Sequence, residues 1–379
     1  MTGNDLDNLI EQIRTLSSDE AGRMLSLIFR CDADTAGRCM EALTADEEFA
    51  TPSNMLMYGV CISGGFGVDL DIVKGVSLVA DSFYKGEMGG VFFAEAMLKE
   101  AHARGISVNA YKEFFYDSAD KLYGMKLYDV AYSLLKTIYT CLPMDERSWF
   151  TYFQCLYNGY GVQRDVEAAY DVLKQMSIYD CKIAIDYMLQ HCDDPEMMYC
   201  RLLGEYYRMG YGGTPDMEKA IHYMKKAAGY DDAESMYNLG ILYSEGELYD
   251  RDKSESYFLS AGRRGYMRAY YELAQNYMLG HKGYSVSRSK AEEYYNKVTA
   301  GRAELSVKLG CLQQLVLIYL QTDRYDYAWI LSRKIVDLFH VDDAGYLSMA
   351  IKACDSNKYE DRQRADFYRS RLRLMGYRL

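Results

Sequence analysis

Six residues between positions 181 and 200 are of the kinds that hold metals: Cys181, His191, Cys192, Asp193, Asp194 and Cys200. Thiolate sulfur and imidazole nitrogen are zinc ligands, and a zinc ion with an open position makes a hydroxide nucleophile for hydrolysis. Zinc ligands come paired at short intervals, C-x-x-C or H-x-x-x-H, because one turn or one helix face then offers two together. No such pair occurs here, and Asp193-Asp194-Pro195 reads as a turn feeding a helix start. Residues Cys181–Cys200 are therefore where a hydrolase or metal-dependent enzyme would be built. The competing reading is buried structural thiols beside a capped helix.

Other chemistry is thinner. Gly64-Gly65-Phe66-Gly67 has the glycines of a phosphate loop without its Gly-Lys-Ser/Thr ending or a preceding strand. The five histidines, His102, His191, His222, His281 and His340, are scattered. No serine stands in a nucleophile elbow, and no short-range cysteine–histidine pair has a catalytic context. The sequence implies no cofactor.

The elements that would position any site follow from a repeat. Tyr199-x-x-x-Leu203-Gly204-x-x-Tyr207-x-x-Gly210-x-Gly212, with Asp216, Lys219-Ala220 and Ala227-Ala228, returns as Leu239-Gly240-x-x-Tyr243-x-x-Gly246 and as Leu273-Ala274-x-x-Tyr277-x-x-Gly280. Counting from Gly59 gives the same ladder: Ile62, Gly65, Gly67-Val68, Asp71 and Lys74-Gly75. Counting from Phe153 gives Leu156, Gly159, Gly161-Val162, Asp165 and Ala168-Ala169. A period of this length denotes stacked helix hairpins. The apolar residues five and one before the anchor, and three after it, share one helix face. Small residues at the anchor let two helices approach closely. The glycine six residues on suits the left-handed residue that ends a helix, and the aspartate twelve residues on caps the next.

This ladder resembles the Sel-one-like repeat (SLR) family, relatives of the tetratricopeptide repeats, and its five copies span about half the chain. Phe115, Ala119 and Leu122, then Tyr128, Ala131, Leu135, Ile138 and Pro143, resemble a tetratricopeptide hairpin. So do Leu312, Leu315, Val316 and Tyr319 followed by Tyr325, Ala328, Ser332 and Ile335, with His340 in place of the closing proline. Segments 88–104 and 180–190 read as extra helices, and 343–356 and 359–375 as a final pair. The expected fold is all-α: a right-handed α-solenoid of helix-turn-helix repeats with helical caps. Its parts are an N-terminal helical cap (1–50), a first SLR plus extra helix (51–105), a tetratricopeptide-like hairpin (106–144), an SLR array (145–302) and a C-terminal hairpin with a basic cap (303–379).

Composition agrees. Apolar residues make up 49% of the 379, enough for a continuous core, and 4 prolines suit a helical chain. The net charge of −12 disfavours nucleic-acid phosphates and anionic membranes as partners. That charge is uneven, −7 over residues 1–50 and +4 over residues 358–379. The basic cap leaves nucleic-acid binding, head-to-tail homo-oligomers or a self-assembling structural role as alternatives. The N-terminus lacks the basic start and apolar run of a secretory signal, and no apolar stretch of membrane-spanning length occurs. The expected compartment is the cytoplasm, with the ten cysteines reduced.

The 38 tyrosines recur at helical spacing and read chiefly as core. On an isolated helix, one stripe lies opposite the apolar face: Arg201, Leu202, Glu205 and Arg208; Tyr237, Asn238, Ile241 and Ser244; Tyr271, Glu272, Gln275 and Met278. The corresponding positions of the Gly59 and Phe153 copies are more apolar. The resemblance implies that first helices line the concave side. The stripe is then a solvated or covered surface, or a groove for a protein or peptide. In the second case Arg201, Glu205, Arg208, Tyr237, Asn238, Tyr271, Glu272 and Gln275 make the contacts. The arginines would pair with carboxylates, the amides with peptide backbone, and the tyrosines would supply apolar area. The function expected is a non-catalytic adaptor, scaffold or inhibitor.

Overall fold

In the computed structural model, residues 37–38, 51–66, 68–143, 145–194, 199–338, 344–356 and 361–377 are described. Among them every regular element is a helix. The N-terminal cap read over residues 1–50 lies outside them except for Gly37 and Arg38, as do Gly67 and His340.

Helices start and stop where the ladder places caps. Asp71, Asp165, Asp216 and Asp250 have extended backbones, and each carboxylate accepts a hydrogen bond from the N–H three residues on. Ser287 does the same in the fifth copy. Each cap satisfies one N–H that a helix start leaves without a partner. Gly65, Gly159, Gly210 and Gly280 stop the first helices at φ between +68° and +76°, the left-handed region. The fourth copy differs: its helix ends at Leu242, and Gly246 turns left-handed (φ +72°) within the loop that follows.

The chain divides into two units, Met1–Tyr187 and Met188–Leu379. In the first, α1 (Pro52–Gly64) pairs with α2 (Ile72–Tyr84). A 3₁₀ turn (Met88–Phe92) leads to α3 (Ala94–Ala103), then α4 (Lys112–Gly124) with α5 (Tyr128–Cys141), and α6 (Glu146–Asn158) with α7 (Val166–Ile178). Helix α8 (Lys182–Gln190) spans the division. The second unit holds five hairpins: α9 (Tyr199–Met209) with α10 (Met217–Gly229), α11 (Ala233–Leu242) with α12 (Arg251–Arg263), α13 (Met267–Leu279) with α14 (Arg288–Ala300), α15 (Leu305–Gln321) with α16 (Tyr325–Arg333), and α17 (Ala344–Ser356) with α18 (Arg362–Leu374). From α1 to α7, and again from α9 to α18, each helix packs on the next, so the architecture is a helical solenoid. No helix among the described residues is long and apolar enough to cross a membrane.

Burial follows the ladder. Tyr199, Leu203, Leu239, Leu273 and Ala269 are almost wholly shielded, and Phe258 and Tyr295 of the second helices close the core from the other side. Each such large side chain contributes about 1.5–3 kcal/mol by leaving water. The anchor glycines are where backbones meet: a Cβ on Gly59 would stand 2.8 Å from the carbonyl oxygen of Gly75.

Candidate functional site

In the Gly204, Gly240 and Ala274 copies, the tyrosine three residues after the anchor and the lysine that opens the second helix form one repeated device. Tyr207 stacks on Tyr223 at 5.6 Å, Tyr243 on Tyr257 at 5.8 Å, and Tyr277 on Tyr294 at 6.0 Å. Over the first ring of each pair sits a lysine ammonium: Lys219 at 5.1 Å, Lys253 at 5.5 Å and Lys290 at 4.5 Å. Lys219 and Lys253 also pair with the capping aspartates, Asp216 and Asp250. These lysines, which the spacing alone suggested only as neighbours of small packing residues, fasten the two helices of a hairpin by cation–π contact. The signal that could have revealed them is the lysine that stands three residues after each capping position, Lys219 after Asp216, Lys253 after Asp250 and Lys290 after Ser287.

Of the stripe residues of α9, α11 and α13, Arg201 and Tyr237 reach across to the following repeat. The Arg201 guanidinium donates to Asp232 (3.3 Å) and Glu234 (2.7 Å) at the start of α11. Tyr237 is 8% exposed; its hydroxyl donates to Glu272 at 3.4 Å, and its ring lies 5.0 Å from that of Tyr266. Burial, then the charge of Glu272, pushes that hydroxyl up to about 12. Gln275 donates to the hydroxyl of Tyr271 at 3.0 Å. Glu205, Arg208 and Asn238 are half-buried, and the Nε of Arg208 is enclosed without a hydrogen-bond partner among the described residues. Leu202 and Ser244 are buried. Arg201 and Tyr237 therefore link successive first helices, α9 to α11 and α11 to α13.

Beyond the last link the surface opens. A cavity of about 620 Å³ lies between α13 and the start of α15, lined by Tyr266, Met267, Arg268, Tyr271, Glu272, Arg302, Glu304, Ser306 and Val307, among others. Of the predicted stripe, Tyr271 and Glu272 reach it and the other six do not. Arg268, Arg302 and Glu304 are exposed there. They escaped sequence reasoning because two lie in the connection between hairpins and the third on the entry turn of α13, outside the ladder positions. The lining offers both charge signs, the phenols of Tyr266 and Tyr271, and the apolar side chains of Met267 and Val307. That chemistry suits a segment of polypeptide.

The thiols offer no comparable chemistry. Burial pushes Cys181 up to about 11 and Cys200 up to about 12, so each is almost wholly protonated at neutral pH. Cys192 is half-buried and accepts a hydrogen bond from Lys226 at 3.2 Å. Among the described residues no three His, Cys, Asp or Glu side chains come together in a way that could hold a metal ion. In the glycine loop, the N–H groups of Gly65 and Phe66 both bond to the carbonyl of Cys61, closing α1 rather than facing an anion.

A family model described as Sel1 repeat matches residues 152–171, 198–229, 233–266 and 268–297. No curated protein matches. Among solved structures the chain is similar to a protective antigen present in uropathogenic Escherichia coli strains displaying an SLR fold. Identity is 15% over 97% of this chain and 94% of that one, with a TM-score of 0.38. It is also similar to a Sel1 repeat protein from Oxalobacter formigenes, at 17% identity over 83% and 91% of the two chains, with a TM-score of 0.29. The copy around Gly59 lies outside the matched stretches, yet it has the same left-handed glycine and aspartate cap.

Proposed function

Because this chain carries Sel1 repeats, modules that generally mediate protein–protein interaction, we propose that it is a non-catalytic adaptor that seats a segment of another protein against α13 and α15. The observation that carries this reading is the cavity between those helices, with exposed Arg268, Arg302 and Glu304 around Tyr271. Each arginine would meet a carboxylate of the segment, Glu304 a base or backbone N–H, and Met267 with Val307 an apolar side chain. Arg201 and Tyr237 would act from behind, holding α9, α11 and α13 in register. The partner is taken to be a protein or peptide, neither nucleic acid nor membrane, and the same rigid surface would serve a scaffold or an inhibitor.

The test is selection from a displayed random-peptide library, followed by titration of the selected peptides. Arg302→Glu with Tyr271→Ala is expected to weaken them about tenfold or more while leaving the helical circular-dichroism signal intact. Peptides that bind wild type and variant equally, or a library that yields none, would remove the cavity as the seat. Stoichiometric zinc in the purified protein would favour the metal-dependent alternative.

A further inference from the structure

We infer that Cys192 and Cys200 form a peroxide-oxidised pair, with Lys226 positioned beside the sulfur that reacts first. Three contacts carry this. The Lys226 ammonium lies 3.2 Å from the sulfur of Cys192 and is held in place by Asp193 at 2.6 Å. The thiol of Cys200 donates to the backbone carbonyl of Cys192 at 2.7 Å. With ordinary bond lengths, that carbonyl contact puts the sulfur of Cys200 within about 5 Å of the Cα of Cys192. A disulfide joins residues whose Cα atoms stand about 4.4–6.8 Å apart, and a sulfur so close to the partner's Cα is compatible with that approach once the Cys192 side chain rotates about its Cα–Cβ bond.

The two cysteines are unequal. Cys192 is part-exposed, whereas Cys200 is 2% exposed, and burial pushes its thiol up to about 12. The part-exposed sulfur of Cys192 is open to a small oxidant, and the ammonium 3.2 Å away offsets negative charge that develops on it during attack. The Cys192 thiolate attacks an oxygen of hydrogen peroxide; the S–O bond forms, the O–O bond breaks, and hydroxide leaves, protonated to water. The Cys200 sulfur then attacks the sulfenic sulfur. The S–S bond forms, the S–O bond breaks, and the departing hydroxyl takes the Cys200 proton as a second water. Two thiols are oxidised by two electrons and one peroxide is reduced. The ring so closed ends at the first turn of α9, next to Arg201, which ties that helix to α11.

The test uses the reduced full-length protein and a limiting amount of hydrogen peroxide, followed by alkylation and peptide mapping. The expected first product is a Cys192–Cys200 disulfide, ahead of any change at Cys141, another part-exposed thiol. Cys200→Ser should stop at a sulfenic acid on Cys192 that dimedone traps. In that background Lys226→Met should slow trapping about tenfold, and Lys226→Arg should restore it. Circular dichroism checks each fold. Trapping that proceeds equally at Cys141, an unreacted Cys192, or a rate unmoved by Lys226→Met would each overturn the inference.

Discussion

The anchor glycines make the sharpest prediction, because the same substitution should have opposite signs at two places in one unit. A Cβ added at Gly59 would stand 2.8 Å from the Gly75 carbonyl oxygen, 2.8 Å from Cγ2 of Val79 and 3.0 Å from Cβ of Leu78. The contact is reciprocal, since a Cβ on Gly75 would stand 2.7 Å from the Gly59 oxygen. Backbone cannot rotate away as a side chain can, so α1 and α2 would have to separate. Overpacking costs about 1–3 kcal/mol, and this case belongs at the upper end. Alanine recovers about 1 kcal/mol of helix propensity, leaving a net loss of about 2 kcal/mol. For a unit of this size that lowers Tm by about 4–8 °C. Gly124, the last residue of α4, has nothing within 4 Å of its hypothetical Cβ. Gly124→Ala should therefore gain about 0.5 kcal/mol. The chain has two tryptophans, Trp149 in this unit and Trp329 in the other. Urea unfolding followed by fluorescence in a Trp329→Phe background then reports the first unit alone. A neutral or stabilising Gly59→Ala would refute the close-approach argument.

Three further outcomes are expected. Arg324, hydrogen-bonded through both terminal nitrogens, holds the Glu292 carboxyl below the usual range; its stabilisation is full above the unfolded value of about 4.3 and is lost as pH falls through the folded one. The urea midpoint of the second unit should therefore drop more steeply with acid in wild type than in Glu292→Gln, and equal slopes would refute this. Lys290 lies over Tyr277 and donates to its hydroxyl at 2.9 Å, so Lys290→Met should cost about 0.5–1 kcal/mol in denaturant titration. Burial pushes Cys155 and Cys311 up to about 12, so at pH 8 iodoacetamide should modify neither in the native protein during the time that Cys141 reacts.

What was legible in the sequence was what a single residue type must satisfy locally. A left-handed helix end asks for glycine and a helix start asks for a short acceptor, so Gly65, Gly159, Gly210 and Gly280, with Asp71, Asp165, Asp216 and Asp250, could be placed by counting. The stripe was harder because a helical wheel allows one buried face. A first helix in a solenoid meets its own second helix and the first helices on either side, so more than half its circumference is covered. Arg201 faces Asp232 and Glu234 of the next repeat, and Tyr237 packs its ring on Phe258 of its own second helix while its hydroxyl reaches Glu272 of the next repeat. The cavity residues Arg302 and Glu304 belong to the connection between hairpins, whose placement depends on how one hairpin stacks on the next. This decides which substitutions can report on a partner. Arg201→Ala strips Asp232, 6% exposed, of its cation, and Tyr237→Ala empties a packed site, so either would weaken binding by disturbing the stack. Arg302 is exposed on the cavity wall; changing it alters what the surface offers while leaving the helices in register. A loss of binding at Arg302 with no change in unfolding midpoint therefore marks a contact, whereas a loss at Tyr237 accompanied by a lower midpoint marks a support.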